Sequence, residues 1–229
     1  MGLTSRNSTN TIEKRLGAVR DRVAGAARAA GRDPDGITLV AVSKRKPAND
    51  IVAAYEAGQR DFGENYVQEF AAKAAALPSL PEARFHMIGK LQSNKAKRAA
   101  ALFTTIHTID RTKLVRRLDR YARPLDVFLE VKLSHEESKA GMRRDRVSAV
   151  LESVREAEHL RILGLMTMPP WNADPERSRP YFRDLRELAI DLGIDGLSMG
   201  MSHDLEVAIE EGATHVRVGT AIFGRRDPA

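Results

Sequence analysis

The sequence contains no cysteine among its 229 residues. Disulfides, thiolate metal ligation and a cysteine nucleophile are therefore excluded. No stretch is apolar for long enough to span a bilayer, and residues 1–13 are polar, without the apolar centre of a secretion signal. A cytoplasmic location, away from membranes, is the default expectation. There is no strong excess of one charge either. The 37 basic and 31 acidic residues leave a net charge of +6, which describes a mixed surface and not a basic tail. Only SNKAKR (93–98) and RRDR (143–146) are locally basic, and neither has interleaved aromatics for base stacking. Nucleic acid is not an expected partner; an RNA-associated role for 93–98 would demand steep salt dependence.

What the chain does have is the apolar run ITLVAV (37–42), leading into Ser43 and Lys44. A strand buried on both faces reads this way, and such strands belong to parallel sheets flanked by helices. Lys44 stands where that strand ends. Its ordinary reading, with Arg45 and Lys46, is a solvated basic turn. Partly desolvated, or near other cations, its amine becomes a nucleophile able to form a Schiff base.

The 42% of hydrophobic residues suffices for one large core. Residues 1–9 read as a disordered tail before a single domain over 10–229. Asn10 is expected to cap a helix over 10–30, with Glu13 closing a capping box and Leu16, Val19 and Val23 on its apolar face. Strands are expected at 37–42, 60–62, 84–88, 104–109, 126–133, 161–166, 196–199 and 215–218, all but the last followed by a helix. Asp110 and Asp174 are expected helix caps. Strict alternation means parallel strands with right-handed crossovers, and eight units imply an α/β fold closed into a (β/α)8 TIM barrel with an extra N-terminal helix. That helix is expected to cover the wall left bare after the eighth strand. The alternative is a doubly wound open sheet, but no Gly-rich fingerprint follows the first strand.

A barrel gathers the C-terminal ends of its strands on one face, where sites are built. Lys44 follows strand 1, Asn65 and Tyr66 follow strand 2, and Lys90 follows strand 3. Ser202 is expected to open the helix after strand 7, where backbone N–H groups attract anions. Gly219 and Thr220 follow strand 8, offering close backbone approach and a hydroxyl. Arg217 should share Gly219's orientation by strand alternation, towards the barrel interior or mouth. The glycines also read as ordinary turns, and Arg217 as a salt-bridge partner. A lysine, a guanidinium and an anion cradle around one mouth suit a phosphorylated aromatic aldehyde such as pyridoxal 5'-phosphate.

These residues lie in AVSKRKP (41–47), FGENYVQE (62–69), HMIGKLQSNK (86–95), HTID (107–110), SKAG (138–141), GLM (164–166) and SMGMS (198–202) through VGTAIFG (218–224). With these segments the chain resembles the YggS/PROSC family of pyridoxal phosphate homeostasis proteins from about residue 10 onward. The resemblance implies a barrel like the N-terminal domain of alanine racemase, holding pyridoxal 5'-phosphate on Lys44 as an internal aldimine. It implies Arg217 at the pyridine nitrogen, Ser202, Gly219 and Thr220 at the phosphate, and Asn65 beside the ring. No metal ligand and no catalytic residue is implied. The family acts as a carrier or buffer of the cofactor, so free amino acids and pyridoxal-phosphate-dependent apo-enzymes are the expected partners, and a monomer the expected state. Lys90, His203 and Arg45 depart from the family's usual residues; the last two would make the site more basic.

An arginine at the pyridine nitrogen keeps its proton, which disfavours deep electron withdrawal and favours a carrier that releases its cofactor by transimination. The alternative is an amino-acid racemase. That reaction needs a second base opposite Lys44, and the domain that supplies a tyrosine in racemases of this fold is expected to be absent. Tyr66 and His86 are internal candidates; their ordinary readings are a helix-start residue and an inward barrel histidine.

Overall fold

In the computed structural model of the chain, residues 3–134, 136 and 140–225 are described. Eight parallel strands form at the expected places: β1 (Thr38–Val42), β2 (Asp61–Glu64), β3 (Arg84–Met87), β4 (Thr105–Ile109), β5 (Leu125–Glu130), β6 (Leu160–Met166), β7 (Gly196–Met201) and β8 (His215–Val218). Each pairs with the next. Strand β8 returns to β1, with Thr38 opposite His215 and Ala41 opposite Val218, so the sheet closes into an eight-stranded barrel. Closure leaves no strand edge unpaired.

Between the strands run α2 (Ala48–Glu56), α3 (Val67–Ala74), α4 (Ala96–Leu102), α5 (Thr112–Asp119), α6 (Val147–Arg155), α7 (Arg179–Asp191) and α8 (Leu205–Glu210). Asp174 caps the short 3-10 turn Pro175–Ser178 that leads into α7, accepting from Glu176 N at 3.0 Å. Asp110 does not cap α5. Its carboxylate pairs with the next residue, Arg111, which occupies the cap position with extended backbone. A neighbouring cation outcompetes the backbone amides for that carboxylate.

The first helix, α1, spans Leu3–Ala29. It begins seven residues before the expected cap, so Asn10 lies inside it and residues 3–9 are helical where a disordered tail was expected. No proline or glycine falls between Gly2 and Gly17, and a helix nucleated on its packed turns extends cheaply until something breaks it. Leu16 and Ala27 on its inner face are fully buried. The helix packs against α2, α8 and a one-turn helix, α9 (Thr220–Phe223). It thus covers the wall between α8 and α2 as expected, although α9 shows that the last strand does have a helix of its own, too short to cover it.

Two buried regions result. The main apolar cluster fills the layer between strands and helices. The buried Val40, Val42, Ile88, Phe128 and Met166 stand apart from it, as strand alternation requires of side chains that face the lumen. With them in the interior are the buried polar residues Asp61, His86, His107, Ser198 and Arg217. Among the described residues no helix is long and apolar enough to cross a membrane.

If α1 is part of the folded barrel, removing its central side chain must leave a cavity in the shared core. Leu16→Ala is expected to lower the urea-unfolding free energy by about 2–4 kcal/mol. A loss below about 1 kcal/mol would mean that the barrel stands without this helix.

Candidate functional site

Strand β1 ends at Val42, and the chain turns at once. Lys46 N donates to Ser43 O at 3.1 Å across Lys44 and Arg45. Arg45 sits at φ 58°, a left-handed conformation uncommon for a residue with a side chain. Such strain persists only where neighbours enforce it. Here Glu69 Oε1 accepts from Arg45 N at 2.5 Å, and Lys73 Nζ donates to Ser43 O at 2.9 Å. Lys73 also reaches Glu64 Oε1 at 2.6 Å and Glu69 Oε1 at 3.2 Å, and Ser43 Oγ donates to Glu64 Oε1 at 2.8 Å. Burial raises the Glu64 carboxyl above its ordinary range, opposed by these hydrogen bonds from Lys73 and Ser43. A buried lysine and two glutamates thus hold the turn that carries the half-buried Lys44.

Strand β8 pairs Arg217 with Val40 and Val218 with Ala41. The residues that follow β8 therefore lie beside the end of β1. Gly219 lies close against β1: a Cβ there would stand 3.3 Å from Val42 Cβ and Val42 O, a tight contact. Thr220 is exposed at the start of α9. Ala221 N donates to Ser202 Oγ at 3.4 Å, joining the turn after β8 to the turn after β7. Ser202 does not open α8, contrary to the expectation from the sequence. It lies in a turn before the helix, because Asp204 takes the cap position and accepts from Met201 N at 2.7 Å. The turn needs Gly200, whose φ is 89° and whose added Cβ would stand 2.5 Å from Ala208 Cβ.

Arg217 points into the barrel. Its guanidinium donates to Ser198 Oγ at 2.6 Å and to Thr167 O at 3.0 Å. Burial lowers its pKa to about 10, with Asp204 and Glu130 opposing the fall, so it stays charged at neutral pH. Among the described residues no carboxylate lies within ion-pair distance of it. The ordinary salt-bridge reading is therefore not what the fold contains.

Asn65 follows β2 and lines a recess of about 410 Å³ with Tyr66, Met87, Lys90 and Leu91. Its Oδ1 is buried and meets no donor among the described residues. The same holds for Oε2 of Glu130 at the end of β5 and of Glu64 at the end of β2. Burial raises the Glu130 carboxyl to about 7; Asp110 adds to the rise, and Arg217 and Lys90 oppose it. Glu130, Glu64 and Lys73 were not singled out by sequence reasoning. Only the Glu69–Lys73 spacing of four on α3 offered a signal.

Of the two candidate second bases, His86 lies deep in the lumen, its Nε2 2.9 Å from Asp61 Oδ1 and its Nδ1 2.9 Å from His107 Nε2. Both ring nitrogens are occupied. Tyr66 stands at the start of α3, 48% exposed. Both occupy the places of their ordinary readings.

The model of the alanine racemase N-terminal domain matches residues 15–227. The pyridoxal phosphate homeostasis protein of Pseudomonas aeruginosa is 47% identical over 224 residues, covering 95% of this chain and 97% of that one. Its Escherichia coli counterpart is 43% identical over 232 residues, covering 95% and 98%. The chain belongs to the pyridoxal phosphate homeostasis protein family. Among solved structures, PipY of Synechococcus elongatus without PLP superposes with a TM-score of 0.83 at 40% identity, covering 93% of this chain and all of that one. PipY has also been solved with PLP bound, at 39% identity and the same TM-score. Alanine racemase of Bacillus anthracis, at 17% identity and a TM-score of 0.66, shares the barrel fold over 57% of its own length.

Within this family the chain's three departures are now placed. Arg45 is exposed in the strained turn, and Lys90 is exposed on the recess beside Asn65. His203 is exposed and donates from Nε2 to Ala173 O at 2.9 Å, facing the loop before α7. Ser138 and Lys139 of the SKAG segment lie outside the described residues.

The Glu130 carboxyl generates a pH prediction. Raised from 4.5 to about 7, it binds more protons folded than unfolded between those values. Its contribution is full below about pH 4.5 and is lost as pH rises to about 7. Glu130→Gln is expected to leave urea stability nearly unchanged at pH 5 and to raise it at pH 8 by up to about 3 kcal/mol. Equal stability of variant and parent at pH 8 would show that this carboxyl is ionised without penalty.

Proposed function

We propose that the mouth of the barrel holds pyridoxal 5'-phosphate and that the protein carries and buffers this cofactor. The observation that supports it most is the closure of β8 onto β1. It brings the end of β1, which leads to Lys44, beside Arg217 on β8 and the Gly219–Thr220 turn that follows, and that turn is tied to Ser202 through Ala221 N. The donor set fits the group. Two hydroxyls and tightly turned backbone suit a phosphate, and the buried Asn65 Oδ1 awaits a donor. When bound, the cofactor supplies an aldehyde carbon that takes up amines reversibly.

In this reading Lys44 provides the amine that attaches to it, from a turn already fixed by Glu69 and Lys73. Arg217 donates hydrogen bonds to the ring nitrogen and keeps its own protons at neutral pH. Ser202, Gly219 and Thr220 receive the phosphate, and Asn65 lies beside the ring. The exposure of Tyr66 and Thr220 leaves the opening accessible to incoming amines. Free amino acids and apo-enzymes that need the cofactor are the partners this arrangement suits. We take the working form to be a cytoplasmic monomer.

The test is covalent fixation. Protein mixed with pyridoxal 5'-phosphate and reduced with borohydride is expected to carry the added mass on the Lys44 peptide, and Lys44→Ala is expected to lose it. Stoichiometric labelling of the variant, on Lys73 for instance, would contradict the assignment. A second sample with α-deuterated L-alanine separates the racemase reading: loss of the deuterium at enzymatic rates would replace carrier with catalyst.

A further inference from the structure

Behind Arg217 the lumen contains a file of hydrogen bonds whose other members the proposed function does not use. It starts at Arg217, whose Nη1 donates to Ser198 Oγ at 2.6 Å. Ser198 Oγ lies 2.8 Å from His107 Nδ1, His107 Nε2 lies 2.9 Å from His86 Nδ1, and His86 Nε2 lies 2.9 Å from Asp61 Oδ1. Asp61 ends the file, held by Arg84 at 2.6 and 2.7 Å. The five members come from β8, β7, β4, β3 and β2, and every one is buried.

The chemistry of the groups dictates where each proton sits. The ionised Asp61 only accepts, so His86 donates to it from Nε2 and, as a neutral ring, is bare at Nδ1. His107 must therefore donate from Nε2 and, neutral in turn, is bare at Nδ1. Ser198 Oγ accepts from the guanidinium, which only donates, and gives its own proton to His107 Nδ1. Asp61 is ionised: burial alone would raise it, but the hydrogen bonds from His86 and Arg84 outweigh this and hold it at about 2. Burial, with His86, His215 and Arg217 nearby, holds His107 well below the ordinary imidazole value, in keeping with a neutral ring.

We propose that Ser198, His107, His86 and Asp61 form a proton-ordered relay that positions Arg217. The relay answers a problem that the site poses. A buried cation without a carboxylate partner is costly, and hydrogen bonds in a chain polarise one another. The ionised Asp61 at the far end draws every proton towards itself and makes Ser198 Oγ a better acceptor for Arg217. The charged and titratable groups around the file are Asp61, Arg84, His215, Glu130 and Asp204. Phe128 packs on His107 at 4.5 Å and on His215 at 4.9 Å between ring centres. These four are positioning residues; none is required to touch a ligand.

The proton order is independent of any ligand, whereas its consequence for the cofactor rests on the function proposed above. The first readout is nitrogen-15 NMR of the imidazoles in the full chain without ligand. At pH 8 both His86 and His107 are expected to be neutral with the proton on Nε2. A proton on Nδ1 of either ring at pH 8 would overturn the relay. The second readout is pyridoxal 5'-phosphate affinity by absorbance titration. Ser198→Ala is expected to weaken it about tenfold, the loss of one hydrogen bond to a charged group, and Ser198→Thr to restore most of it. Unchanged affinity in Ser198→Ala would overturn the positioning role. Failure of the unaltered protein to bind would instead overturn the proposed function and leave the NMR result standing.

Discussion

A full positive charge inside the barrel is the constraint around which the site is arranged. Arg217 is buried, and it stays protonated at neutral pH although burial pulls its pKa down to about 10. Solvating such a group without water requires oriented acceptors. The barrel supplies Thr167 O from the end of β6 and Ser198 Oγ from β7, with the carboxyls of Asp204 and Glu130 near enough to favour the charge. The lumen consequently carries a file of polar side chains among the apolar Val40, Val42, Ile88, Phe128 and Met166, while the main apolar cluster fills the outer layer between strands and helices. Strand closure makes this possible, because only a closed barrel brings β2, β4, β7 and β8 to a common interior.

The mouth follows a different logic. Around Lys44 the chain departs from relaxed geometry, with Arg45 in a left-handed conformation. The cost of such a residue, roughly 1–2 kcal/mol, is offset by the Glu69 and Lys73 contacts beneath it. On the opposite side the two turns after β7 and β8 are tied by Ser202 and Ala221, and Arg22 of α1 donates to Ser202 O at 3.0 Å. The N-terminal helix therefore does more than cover the wall, since it also braces one of the loops proposed to hold phosphate.

The barrel was legible in the sequence because strands such as β1 are short apolar runs, and strict alternation of strand and helix leaves few topologies. The orientation of Arg217 followed from the period of two along β8. Helix starts were less legible. Asn10 and Asp110 have the composition of caps, but a packed helix runs on past the first and a neighbouring arginine takes the second. The proton-ordered file was not legible at all. His107 and Ser198 are 91 residues apart in the chain, and no spacing rule connects residues that meet only when a barrel closes. Glu64 and Lys73 were hidden for a related reason. Their pairing depends on where the β2–α3 connection folds back beneath the lysine turn, and that path is set by tertiary packing.

The central claim is that one mouth, framed by β1 and β8, presents Lys44 and Arg217 to the same ligand. A crystal structure of the protein grown with pyridoxal 5'-phosphate tests it most directly. The account predicts density continuous with Lys44 Nζ, the ring nitrogen within hydrogen-bond reach of the Arg217 guanidinium, and the phosphate against residues 219–221 and Ser202. A ligand attached to Lys73, or one bound at the mouth with Arg217 directed away from its ring, would contradict it.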